Sequence, residues 1–142
     1  MNPEEIVTSL ELSIQLKEKG YPQDGSIWVW SFDTYYKDVK PKLILRKEIP
    51  YPLVGRHKKI IDAPLGDELD WKLPSKILYK GETWYLGIFK DEQDGETWYF
   101  VKYHQNYNST LILKGDKIPA NAKAKMWLWL IDNKRISFEE NK

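Results

Sequence analysis

The sequence predicts an α+β protein: an antiparallel β-meander with an N-terminal and a C-terminal helix packed mainly on one face of the sheet. Three observations carry that expectation. Helix-capping residues bracket a four-residue apolar repeat near the start, aromatic and β-branched runs separated by turn residues fill the middle, and an Ala-rich stretch behind Pro119 closes the chain. Helices and strands are grouped rather than alternating, which favours an antiparallel over a parallel sheet. No linker-like stretch divides residues 1–142, so a single domain is expected.

Thr8 with Glu11 three residues on forms a capping-box pattern, and Gly20 is placed to end the helix. Leu10 with Ile14, and Leu12 with Leu16, give it an apolar stripe. "SIWVWSF" (26–32) reads as a strand with Trp28, Trp30 and Phe32 on one face and Ile27 and Val29 on the other. "KLILR" (42–46) is a second strand. Pro50 and Pro52 make residues 49–55 a loop or edge segment, and "KIID" (59–62) a short third strand. Asp62-Ala63-Pro64 looks like a helix entry with Asp62 as its cap, and Pro74 stops that helix. A hairpin of about 77–90 and 96–104 follows, extended by "TLIL" (110–113). Pro119 then opens a helix over Ala120–Asn133, and a short segment "RISF" precedes a polar tail.

At 142 residues the chain is long enough to bury roughly 70% of its unfolded surface in a core. There is no cysteine, which excludes disulfide frameworks and thiolate chemistry and fits a reducing compartment. The longest apolar run, "MWLWLI" (126–131), falls far short of a membrane span, and the acidic start lacks a secretory layout, so a cytoplasmic protein without a membrane partner is expected. The 22 basic and 21 acidic side chains nearly cancel, leaving no global field to steer the protein onto an anionic partner. Residues 34–61 are the local exception, with eight basic against two acidic side chains.

The pentapeptide Gly-Glu-Thr-Trp-Tyr occurs twice, from Gly81 and from Gly95. With Gln93-Asp94-Gly95 as the hairpin loop, Glu92 pairs with Glu96 and partner numbers sum to 188. Trp84, Leu86, Ile88, Trp98 and Phe100 then share one face, and Tyr85, Phe89, Tyr99, Val101 and Tyr103 the other. The two copies reflect a shared strand environment, since a 14-residue period is too short for solenoid or propeller units. A row of amphipathic rings beside positive charge can hold single-stranded nucleic acid. Tyr85, Tyr99, Tyr103 and His104, with Arg56, Lys58 and Lys59 of the basic 37–59 stretch, are therefore the candidate binding surface.

Chemistry-bearing patterns are absent. "DEQDGE" fails as a calcium loop, because aligning Gly95 to the sixth position puts Lys90 first and Val101 twelfth. His57 and His104 have no metal-pair spacing, and there is no phosphate-cradling loop, nucleophile elbow or dinucleotide fingerprint. No catalytic, cofactor-binding or metal-ligating residue is assigned. Asp67 and Glu68 suit the first turn of a short helix through its dipole.

Four stretches taken together resemble a family of small uncharacterised proteins encoded by bacteriophages and prophages. They are "SLELSIQLKEKGYPQ" (9–23), "DAPLGDELDWKLP" (62–74), "WYFVKYHQN" (98–106) and "AKAKMWLWLID" (122–132). Ser13 stands where that pattern has Ala, and residues 33–61 lie outside the likeness. The resemblance implies an accessory protein of a bacterial host cytoplasm and brings no activity or site residue with it. The resulting expectation is a non-enzymatic protein-binding or adaptor module whose partner is a host or phage protein or a second copy in a homodimer. The alternatives are single-stranded nucleic-acid binding through the basic stretch and Tyr rings, and a ligand or enzymatic site near His104.

Overall fold

The computed structural model describes residues 2–23, 25–33, 40–49, 58–106 and 108–135. The fold is α+β, with two antiparallel sheets and helices toward both ends. It falls into two compact units, Met1–Leu65 and Gly66–Lys142. No helix among the described residues is long and apolar enough to cross a membrane.

In the first unit, α1 (Leu10–Glu18) begins where the Ser9 hydroxyl accepts the Leu12 N–H at 3.3 Å. Thr8, the expected cap, sits one residue too early. Its buried hydroxyl is hydrogen-bonded to that of Ser13 at 2.6 Å, and its carbonyl accepts the Trp30 indole N–H at 3.2 Å. Ser13 thus has a polar partner inside the core. The sheet places β1 (Trp28–Asp33) between β2 (Lys42–Leu45) and β3 (Lys58–Asp62). Trp28, Trp30 and Phe32 share a face, as the alternation predicts, and pack with Val7, Leu10, Leu43 and Ala63.

Asp62 does not cap a helix. It ends β3 with a buried carboxylate that accepts the Ser26 N–H at 3.1 Å and pairs with the Arg46 guanidinium. Its own N–H donates to Gln23 Oε1 at 2.9 Å, and Arg46 Nε donates to the Ser26 carbonyl at 2.8 Å. With that carboxylate committed to the strand ends, the next helix starts later, as α2 (Gly66–Asp70). Residues 50–55 of the expected loop or edge segment, and "RISF" from residue 136, lie outside the described residues.

The second unit is a four-stranded meander in sheet order: β4 (Lys76–Tyr79), β5 (Glu82–Gln93), β6 (Glu96–Asn106) and β7 (Ser109–Asp116). The single strand expected over 77–90 is two strands, because Lys80 at φ 51° and Gly81 at φ 82° make a tight left-handed turn between them. The second turn has the same form, with Asp94 at φ 52° and Gly95 at φ 80°. Two successive positive φ angles in a two-residue connection are the hairpin geometry that matches strand twist.

That turn is one residue shorter than expected: Gln93 faces Glu96. The slip flips every β6 side chain relative to β5. Trp84 now shares a face with Tyr99, Val101 and Tyr103, whereas Tyr85 shares one with Phe89, Trp98, Phe100 and His104. The two copies of the pentapeptide therefore send their Trp rings to opposite faces. They have in common a starting point, the second residue of a left-handed turn, from which the next strand runs out.

Helix α3 (Pro119–Asp132) starts with Pro119 in its first turn. Asp116 fixes the approach: its carboxylate accepts the Ile118 N–H at 3.0 Å and pairs with Lys125 at 2.9 Å. Burial raises the Asp116 pKa, but the Lys125 and Ile118 hydrogen bonds outweigh it and hold the carboxyl below its ordinary value. α3 packs on β6 and β7, and the Tyr79 and Trp129 rings meet at 5.9 Å. On the sheet face beneath it, Ile77, Val101 and Tyr103 are buried.

The Tyr103 hydroxyl donates to the Pro74 carbonyl at 2.7 Å, and burial pushes its pKa well above the ordinary 10.0. An unfolded chain therefore releases this proton from about pH 10, while the folded chain keeps it. Stability is present below that pH and falls above it, by up to about 1.4 kcal/mol per pH unit from this group. Tyr103→Phe is expected to cost about 1 kcal/mol at neutral pH and to flatten the alkaline decline. Urea unfolding of both proteins across that range checks this; parallel declines would contradict it.

Candidate functional site

The face of the second sheet opposite the α3 side is open. Leu78 (61%), Tyr85 (51%), Phe89 (40%) and Leu113 (47%) all remain exposed on it. The pairings place them together: Leu78 lies across from Thr83, Lys76 from Tyr85, Tyr85 from His104, Phe89 from Phe100, and Lys102 from Leu113. Such a cluster differs from singly scattered surface apolar residues, which need no explanation.

Three rings form a continuous row across β5 and β6. Phe89 and Phe100, a direct cross-strand pair, have centroids 5.1 Å apart and planes within 19°. Trp98 continues the row at 6.5 Å from Phe100, with planes within 23°. Lys102 Nζ stands 5.2 Å from the centre of the Phe89 ring and Lys117 Nζ 5.8 Å from that of Trp98. Lys117 also pairs with Glu96 at 2.8 Å.

Two glycines shape the surface. A Cβ at Gly115 would stand 2.6 Å from Phe100 Cε1, so the ring occupies the space over β7 that any other residue would fill. A Cβ at Gly87 would meet His104 Nε2 at 3.0 Å and Lys102 Cε at 3.2 Å. Both side chains lie across the bare backbone of β5. Here glycine acts through close approach rather than through an unusual φ.

The sequence-derived candidates are divided by this arrangement. Tyr85 and His104 are on the open face. Tyr99 and Tyr103 are on the opposite one, with Tyr103 sealed in the core, because the one-residue register slip carries them there. Lys59 is exposed on β3 of the first unit, and Lys58 begins that strand. Arg56 lies outside the described residues. His104 is half-buried against Gly87 on the sheet surface. Among the described residues no three His, Asp or Glu side chains group closely enough to hold a metal ion. An open hollow of about 410 Å³ in the first unit is lined by Gly25, Ser26, Ile27, Arg46 and Lys47. Arg46 there is already engaged by Asp62.

Sequence reasoning missed Phe89, Trp98, Phe100, Lys102 and Lys117 as a group. The signal that finds them is Asp94-Gly95, a strong two-residue hairpin pair whose use as the whole turn sets the observed register. Comparison with protein-family models, with curated proteins and with solved structures returns no match.

Proposed function

We propose that this protein is a non-enzymatic binding module whose recognition surface is the open face of the four-stranded sheet. The observation that carries this reading is the convergence of Leu78, Tyr85, Phe89, Trp98, Phe100 and Leu113 on one uncovered side of one sheet. Apolar side chains left in water add little to folding, and their concentration marks a surface retained for a partner. A setting in a phage-infected or lysogenic bacterial cytoplasm rests on the four sequence stretches alone.

The test separates binding from folding. Leu78→Ser is expected to change the unfolding free energy by no more than about 0.5 kcal/mol, and Phe89→Ser, which also loses the stacked pair with Phe100, by about 1–1.5 kcal/mol. Urea unfolding measures this, and losses above about 2 kcal/mol would show the face to be core, ending the reading. Sedimentation equilibrium identifies a second copy as partner. A concentration-dependent dimer abolished by Phe89→Ser would make the face a homodimer interface.

A further inference from the structure

We infer that the occupant of the open face is a single strand of nucleic acid, its bases stacking on the Phe89–Phe100–Trp98 row and its phosphates meeting the lysines around it. The inference rests on the binding-surface reading above and names its ligand.

The arrangement of cations argues for this ligand. Lys102 and Lys117 stand beside the flat sides of the two end rings of the row. An apolar protein patch seated on those rings would have to strip water from the Lys102 ammonium without returning a counter-charge, which is costly, whereas Lys117 keeps Glu96 as its partner. A nucleic-acid strand meets this demand, offering an aromatic face to each ring and a phosphate to the Lys102 ammonium.

The sheet orders these groups along its length. Nearest the hairpin tip are Gln93 and Glu96, then Asp91 across from Trp98. Next come Phe89 with Phe100 and Gly115, then Gly87 with Lys102 and Leu113, then Lys76 with Tyr85 and His104. The acidic side chains thus sit at the tip, and Lys102, Lys76 and His104 line the way from the ring row to Tyr85. A strand lying on the face would run from Trp98 away from the tip, with rings and cations alternating beneath it.

Gly87 and Gly115 let His104, Lys102 and the Phe100 ring lie close over the neighbouring strands along this path. Bases in a duplex are stacked on one another and present only their edges, so unpaired bases are the ones whose faces these rings can take. The described face has aromatic planes rather than a fixed set of amide groups aimed at base edges, which predicts tolerance of sequence. The near-zero net charge of the whole chain means that affinity comes from this local pattern and not from long-range steering.

Fluorescence anisotropy with a labelled thymidine oligonucleotide, its uridine RNA counterpart and a duplex of equal length tests the inference on the full chain. Both single strands are expected to bind at low salt and the duplex much more weakly. The slope of log affinity against log salt should be about −1.4, reflecting Lys76 and Lys102 at about −0.7 each, Lys117 being already paired with Glu96. Phe89→Ala and Trp98→Ala should each weaken binding about tenfold with the fold intact by circular dichroism. Lys102→Gln should reduce the magnitude of the salt slope by about 0.7. Absence of any anisotropy change at low salt overturns the inference. So does binding that survives both ring substitutions but is lost when Arg56, Lys58 and Lys59 are neutralised. The unfolding test of Leu78→Ser and Phe89→Ser is independent of these results. A face that is open yet binds no oligonucleotide leaves the binding-module reading standing with a protein occupant, whereas a face that proves to be core removes both.

Discussion

Trp127→Ala is expected to lower the unfolding free energy by about 3–5 kcal/mol, the largest effect of any single truncation considered. Trp127 is fully buried in α3 beside Met126 and Leu130. Removing its indole loses the transfer free energy of the largest fully buried side chain among the described residues and leaves a cavity that rigid neighbours fill only in part. Because a domain is stable by only about 5–15 kcal/mol in all, this variant stands near the unfolding threshold. Trp127→Phe, which keeps a ring in the site, should show a smaller loss in the same direction. Denaturant unfolding followed by circular dichroism reads both, and a loss under about 1 kcal/mol for the Ala variant would contradict the burial assigned to α3. Phe89→Ser, on the open face, is expected to cost severalfold less than Trp127→Ala, because only part of the Phe89 ring is buried.

Arg46→Met is the second large effect, at about 3–5 kcal/mol. The Arg46 side chain is 31% exposed, while Asp62 is only 1% exposed. Losing the guanidinium leaves a buried carboxylate that, among the described residues, still accepts from the Ser26 N–H, and strips the Ser26 carbonyl of the Arg46 Nε–H. Removing Asp62 instead is less damaging, because Arg46 can turn to water. The double variant Arg46→Met with Asp62→Leu should recover part of the loss, removing the unpaired carboxylate while the buried Ser26 N–H and carbonyl still lose these partners. If the double variant is as unstable as the sum of the two single ones, the polar network described around Asp62 is not what holds those strand ends together.

Much of the fold is legible in the sequence. α1 and α3 announce themselves by capping residues, Gly20 and Pro119, and β1 by its alternating rings. What the sequence conceals is register. Asp91-Glu92-Gln93-Asp94-Gly95 supplies turn residues for either a two- or a three-residue connection, and the choice moves partner sums by one while leaving both strands in place. That single residue decides whether Trp98 and Phe100 lie with Trp84 or with Tyr85. Lys80-Gly81 hides for a related reason, since Lys seldom takes a left-handed conformation and only its Gly neighbour signals the turn. The candidate site follows the register: the observed pairing brings His104 across from Tyr85, carries Tyr99 and Tyr103 to the other face, and unites Phe89 with Phe100 and Trp98, which a three-residue loop would separate. Asp62 was misread because an acid before Ala-Pro looks like a cap, and its partner Arg46 lies 16 residues away.

The most direct measurement is the map of amide and ring chemical-shift changes by NMR as a thymidine oligonucleotide is titrated into the protein. Changes are expected to concentrate on Phe89, Trp98, Phe100, Lys102, His104 and Lys117, leaving Tyr99, Val101 and Tyr103 nearly still. Changes centred on Tyr99 and Tyr103 or on residues 37–59, or no changes at low salt, would contradict the assignment of the open face as a platform for single-stranded nucleic acid.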